Sequence, residues 1–178
     1  METIYSLKVT IRRWIVFFMI ALILSGATAF ALETELEWLC TVIPLGINLH
    51  FWIQRCYVAI RDMNAQYPFL VYGYDWLAFA HIVIAIAFIG PYIDPVKNIW
   101  IIQFGCIACI LIWPTAFIAG YVRQIPFYWK LIDCSFGAVG LIPLLICYRK
   151  IKRLEVLENI ENHAALYEYS NREIQAFN

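Results

Sequence analysis

Apolar residues in this chain run in long unbroken stretches instead of alternating with polar ones. Four stand out: Ile15 to Leu32, Leu77 to Ile93, Ile99 to Val122 and Leu131 to Tyr148. Asp133 is the only formal charge among them. A helix rises about 1.5 Å per residue, so each stretch can cross a hydrocarbon core of about 30 Å. In lipid every backbone polar group must be satisfied within the chain, and a helix does that by itself. The pattern predicts an all-α fold: an integral membrane bundle of four transmembrane helices, with an outer-side, partly helical segment and a cytoplasmic C-terminal amphipathic helix.

Polar positions fill the gaps unevenly. Lys8, Arg12 and Arg13 precede the first span, and Arg149, Lys150, Lys152 and Arg153 follow the last, whereas Glu33, Glu35 and Glu37 cluster after the first. Lys and Arg mark the cytoplasmic side, so both termini are read as inside. The first span has a basic lead, an apolar core and the small-residue run Ala27-Thr28-Ala29, the layout of a cleavable signal peptide. We read it as a retained anchor. Trp38 to Gln54 is uncharged apart from its surroundings and could be a fifth span. A fifth crossing, however, places the two basic ends on opposite faces. That segment also holds Pro44, Gly46, Asn48, His50 and Gln54, poor choices against lipid. Residues 34–74 are therefore expected to lie on, or dip into, the outer mouth. The domain division that follows is a membrane domain over 1–153 and a cytoplasmic helix and tail over 154–178.

Composition changes this picture little. The chain is 63% hydrophobic and 15% charged, with no formal net charge, and its mean hydropathy is +0.71; soluble domains carry about 25% charged residues. Nothing suggests a nucleic-acid partner. Tyr72, Tyr74 and Trp76 form an aromatic cluster at the start of the second span, where Asp75 is placed as an N-cap. Gly90-Pro91 weakens the far end of that span, and Asp94-Pro95 turns to the third. Phe127, Tyr128 and Trp129 belt the loop before the fourth. Pro114 and Pro143 are expected to kink their spans. Ala116 with Gly120, and Gly137 with Gly140, permit close helix approach. Past Arg153, Leu154, Leu157, Ile160 and Ala164 recur at helical spacing opposite Glu155, Glu158 and Glu161. This helix either covers the inner ends of the spans or docks a partner.

Two sets of residues could carry chemistry. Cys106 and Cys109 form a C-x-x-C about 12–16 Å into the third span. A four-span bundle with an intramembrane C-x-x-C resembles the vitamin K epoxide reductase type of fold, with Cys40 and Cys56 in the outer segment as a second pair. In that family the reactive pair lies near the outer end of a span, facing a quinone pocket; here it is deeper. Apolar surroundings make a thiol inert, so a redox role is the lesser reading. No four-ligand zinc set is spaced along the chain, and no metal is expected. The second set is ionisable. His81 lies about 9 Å along its helix from Asp75, Asp133 is one turn inside the fourth span, and Arg123 closes the third. Arg55, Arg61 and Asp62 belong to the outer segment. Intramembrane ionisable groups are costly and face partners. Topology gathers these residues at the outer side, with Asp133 expected to pair with Arg123 or Arg55. Such a cluster is a structural ion-pair network, a ligand or lipid-headgroup site, or an acid–base centre. His50 and His81 are weighed as haem ligands and set aside, since only His81 is on a firm span.

Tyr67-Pro68-Phe69-Leu70, the run Tyr72 to His81, and Leu131 to Gly137 resemble a group of small bacterial polytopic membrane proteins, over most of residues 36–153. The resemblance implies a bacterial inner membrane and no activity. No cofactor is expected, quinone being the alternative that the outer cluster leaves open. The primary expectation is a non-enzymatic accessory or scaffold subunit, partnered by lipids and by protein or a second copy through span faces or the C-terminal helix. The alternative is a protein that binds a lipid, quinone or isoprenoid, or an enzyme acting on one, through the outer cluster.

Overall fold

The computed structural model describes residues 3–176, and every regular element among them is helical: α1 Ile4–Phe30, α2 Leu32–Val42, α3 Asn48–Gln66, α4 Pro68–Ala87, α5 Ile89–Ile93, α6 Ile99–Val122 and α7 Phe127–Ala176. Four helices are long and apolar enough to cross a membrane, namely α1, α4 with α5, α6 and the first part of α7. Within their apolar windows only 11–28% of residues are buried in protein. An apolar surface that extensive has to be covered by something other than water, and a multi-pass membrane protein meets that requirement. The chain is an all-α bundle. It divides into two compact units, residues 1–18 with 87–178, and residues 19–86.

In the first unit α6 and α7 form an antiparallel hairpin built on close approach. A methyl group added at Gly137 would lie 2.6 Å from the carbonyl oxygen of Cys109, and one at Gly140 would lie 3.2 Å from the Cys109 sulfur. Gly105 faces Leu144 in the same way, and Gly120 faces the aliphatic stem of Lys130. On α7 the buried positions Cys134, Gly137, Leu144, Cys147, Ile151 and Leu154 follow a three-four spacing, the period of a helix seam. The start of α1 supplies Leu7, Ile11, Ile15 and Phe18, all buried and on one stripe. The Cys147 thiol donates to the Ile11 carbonyl at 3.7 Å, Phe18 meets Phe88 at 4.9 Å between ring centres, and Lys8 pairs with Glu158 at 2.7 Å.

The turns explain how the hairpin closes. After α6 the Ile125 N–H donates to the Gly120 carbonyl at 2.9 Å and the Gln124 N–H to the Tyr121 carbonyl at 3.2 Å. This is the Schellman arrangement, with Gln124 in the left-handed region at φ 57°. Between α5 and α6, Asp94 accepts from the Lys97 N–H at 3.1 Å. That bond, with the Lys97 ammonium 3.2 Å away, holds the Asp94 carboxyl below its usual range. Asn98 donates to the carbonyls of Gly90 and Asp94.

The second unit contains an α2–α3 helical hairpin. Ile43 to Ile47 breaks the chain between the two helices, and Gly46 turns it at φ 90°. Glu33 and Asn64 tie the open end at 2.6 Å. Buried His50 holds the turn, its Nδ1–H donating to the Ile43 carbonyl at 3.0 Å. Elsewhere in this unit α1 presses on α4: a Cβ at Gly26 would lie 2.9 Å from both the Ala78 carbonyl and the His81 Cβ.

Several boundaries bear on the sequence reading. Trp38 to Gln54 is no fifth span, as expected: Pro44 and Gly46 divide it between two helices. Asp75 is not an N-cap: α4 begins at Pro68, whose missing N–H and fixed φ suit a first turn, so Asp75 lies two turns inside. Phe127, Tyr128 and Trp129 form the first turn of α7 instead of a loop. Pro114 and Pro143 lie inside α6 and α7, each of which runs on past its proline. The break near Pro91 falls at Phe88, where α4 gives way to α5. The C-terminal helix is continuous with the fourth span, and its stripe is buried only at Leu154; Leu157 is half-buried, while Ile160 and Ala164 are exposed.

The glycine contacts yield a discriminating test. Overpacking a tight site costs about 1–3 kcal/mol, and the atom facing Gly137 is backbone that cannot swing aside. Gly137→Ala is expected to lower the thermal midpoint in detergent clearly. Gly73→Ala, where nothing lies within 4 Å, should hold or raise it, since alanine gains up to about 1 kcal/mol of helix propensity. Equal midpoints for the two variants would show that the helices do not approach at Gly137.

Candidate functional site

A groove of about 580 Å³ lies on the α6–α7 hairpin. Its floor is one face of α6. Ala108, Leu111, Ile112, Thr115, Ala116, Ala119, Gly120 and Arg123 recur every three or four residues, a strip about 22 Å long. Small side chains hollow it, and the Thr115 hydroxyl is spent on the Leu111 carbonyl at 2.7 Å. Ile125 and Asp133 complete the lining. The groove is apolar along its length and ionic at one end, where Arg123 and Asp133 face the same space.

These two charges do not form the expected pair. Among the described residues no carboxylate lies within 4 Å of Arg123, and Asp133 has no basic partner at that distance. The hairpin explains both halves of the outcome. The Schellman turn sets Arg123 at the end of α6, and α7 starts at Phe127, which brings Asp133 back alongside the last turns of α6. Gly120, seated on the stem of Lys130, draws the helix backbones together there, but the Arg123 side chain remains exposed. An unpaired cation and anion at one mouth can each take a complementary group from a ligand.

The other predicted residues lie in the second unit. Arg55 and Asp62 line a groove of about 530 Å³ along one face of α3, with Phe51, Gln54, Val58 and Ala59. Arg61 stands 3.7 Å from Asp62 and 5.5 Å over the Tyr57 ring. Asp75 lines a smaller space of about 300 Å³ with Phe30, Tyr72, Trp76 and Phe79. The His81 Nδ1–H donates to the Leu77 carbonyl one turn back at 2.8 Å. His50 serves its turn in the same manner. Among the described residues no group of three His, Cys, Asp or Glu side chains could hold a metal ion.

The six cysteines are free thiols. Cys109 is buried against Gly140, a small apolar side chain filling a helix contact. Outside the spans, burial pushes the Cys56 thiol above its usual value, against the pull of neighbouring Arg55.

Two features were not anticipated. One is the α6 face itself, whose signal was the recurrence of Ala and Gly at Ala108, Ala116, Ala119 and Gly120. The other is Arg12, whose Nε–H donates to the Tyr92 carbonyl at 3.1 Å while its guanidinium lies 5.5 Å over the Tyr92 ring. No protein-family model matches this chain, and no curated protein or solved structure is significantly similar to it.

The thiol chemistry has a checkable sign. A raised pKa leaves less thiolate at neutral pH, so peptide-level maleimide labelling of Cys56 should be slow at pH 7 and climb only in the alkaline range. Full alkylation after denaturation should count six thiols without reductant. Rapid labelling of Cys56 at neutral pH, or a missing pair of thiols at Cys106 and Cys109, would restore the oxidoreductase reading.

Proposed function

We propose that this is a lipid-binding membrane protein whose α6–α7 groove takes an amphiphile of the lipid or isoprenoid class. The observation that carries the reading is the open apolar strip ending in an unpaired Arg123 and Asp133. A closed, fully paired network would have supported a purely structural role. In a bilayer an apolar tail gains little by moving from lipid to an apolar groove, so the tail contributes fit and the head contributes selectivity. Arg123 supplies a fork of donors for a phosphate or carbonyl oxygen, and Asp133 accepts from an ammonium or hydroxyl. A quinone head, which only accepts, would use Arg123 and leave Asp133 without a role. No nucleophile–base arrangement accompanies the groove, so binding without chemistry is the reading.

A second reading keeps one observation to itself. Beyond Arg153, α7 exposes Val156, Ile160, Leu166 and Tyr167 among acidic side chains. An unpartnered apolar set on a helix outside the spans suits docking to a protein partner, as an accessory subunit would require. The charge bias supports both termini being cytoplasmic, and the bacterial inner membrane rests on the resemblance noted from the sequence.

The groove reading is tested by mass spectrometry of amphiphiles that co-purify in mild detergent. Hydrogen bonds to charged groups contribute about 1.5–3 kcal/mol, so Arg123→Gln should reduce the retained ligand about tenfold or more. Ala116→Leu, which fills the floor and leaves both charges in place, should reduce it comparably with an unchanged thermal midpoint. Retention at wild-type levels in both variants would refute the groove as the site.

The topology is tested separately. Single-cysteine accessibility should place Glu35 and Gln66 on one side of the membrane and Lys150 on the other. Gln66 labelling from the same side as Lys150 would overturn the orientation.

A further inference from the structure

At the opposite end of α6 from Arg123, the first unit holds a different kind of site. Arg12 and Arg13 stand where α1 meets the basic margin of its span. With Val9, Val16 and Tyr92 they line a cavity of about 320 Å³. Arg12 is held in place by neutral groups alone, its Nε–H on the Tyr92 carbonyl at 3.1 Å and its plane 5.5 Å over the Tyr92 ring. Those contacts leave the terminal Nη groups unused. Among the described residues no carboxylate pairs with either arginine, and the glutamate bonded to this part of α1, Glu158, is bound to Lys8 at 2.7 Å.

We propose that Arg12 and Arg13 form a binding site for the phosphate ester of an anionic phospholipid headgroup. A guanidinium fork binds phosphate oxygens through two parallel hydrogen bonds, and holding the fork in advance lowers the ordering required on binding. Tyr92 does the holding. Arg13 adds a second positive charge. Val9 flanks the arginines on the N-terminal side, and Val16 extends the cavity along α1 toward the apolar part of the span, where an acyl chain leaves the headgroup. That apolar wall is what selects a lipid over a free phosphate. A purely structural role, with Arg12 capping the last carbonyls of α5, accounts for the Nε bond. It does not account for the open fork or for the second, unneutralised arginine. The site is independent of the α6–α7 groove.

The test is lipid titration of the detergent-purified full chain, read by native mass spectrometry and by thermal midpoint. The probes are a phosphatidylglycerol, a phosphatidylcholine, and water-soluble glycerol phosphate. Phosphatidylglycerol should bind and raise the midpoint, phosphatidylcholine should bind about tenfold more weakly, and glycerol phosphate should give no shift. Arg12→Gln should weaken phosphatidylglycerol binding about tenfold. Arg12→Lys, which keeps the charge but loses the fork, should weaken it measurably and carries the test if Arg12→Gln does not fold. Arg13→Gln should weaken it less than Arg12→Gln. Arg61→Gln, the same loss of charge elsewhere, should leave binding unchanged. Equal binding by wild type, Arg12→Lys and Arg13→Gln would overturn the site. A full shift with glycerol phosphate would reassign it to free anions, and equal affinity for phosphatidylcholine would remove the requirement for an anionic lipid.

Discussion

The contact between Gly137 and the Cys109 backbone sets the geometry on which the rest of the first unit depends. Surrounding hydrocarbon is as apolar as leucine, so helices in a membrane gain nothing from hiding apolar side chains from water. They associate by bringing backbones close, and that requires positions without side chains. Gly137 and Gly140 receive Cys109, Gly105 receives Leu144 and Gly120 receives the stem of Lys130. These meetings fix α6 against α7 along most of their shared length. Between two of them, the small residues of the α6 face find no filling partner on α7. A groove remains where close packing lapses.

The same constraint decides how much could be read from the chain. The spans were legible because a membrane writes its thickness into composition: Ile99 to Val122 is the helix α6 to the residue, and the acidic run after the first span opens a separate helix. Depth along a helix follows from counting, so the placement of Asp133 near the level of Arg123 was legible too. Rotation about the helix axis was not. Whether two side chains meet depends on which face each helix turns to its neighbour. That is set by glycine contacts such as Gly137 with Cys109 and Gly26 with Ala78, whose partners lie from about thirty to more than fifty residues away. Asp75 was misplaced for a related reason. Its aromatic neighbours read as a membrane boundary, yet Pro68 starts the helix earlier and carries them inside it. Arg12 was read only as a topology signal, because the carbonyl it bonds has no side-chain signature and the Tyr92 ring it lies over is 80 residues away along the chain.

Both histidines illustrate how backbone needs absorb side chains that look available. His50 follows a turn that leaves the Ile43 carbonyl without a helical partner, and burial makes that carbonyl expensive to leave unbonded. His81 satisfies a carbonyl one turn back while its Cβ forms part of the surface against which Gly26 packs. Each imidazole thus has a structural task at its Nδ1.

Those remaining charges are sorted by α6. The helix has 24 residues, a length of about 36 Å, against a hydrocarbon core of about 30 Å. Arg12 sits on Tyr92 beside the turn that begins α6, and Arg123 closes its other end, so a crossing α6 would set the two guanidiniums near opposite headgroup layers. Their settings differ in one respect that matters for selectivity. Arg12 is anchored by a carbonyl and a ring, which leave its charge unneutralised and favour a head of net negative charge. Arg123 shares its groove with Asp133, so the local sum is near zero and a strongly anionic head meets repulsion as well as attraction. A head that donates and accepts at once suits that mouth. On the proposed readings, the arginine on α1 and the one that closes α6 would present different chemistry from the same residue type, through what stands beside each.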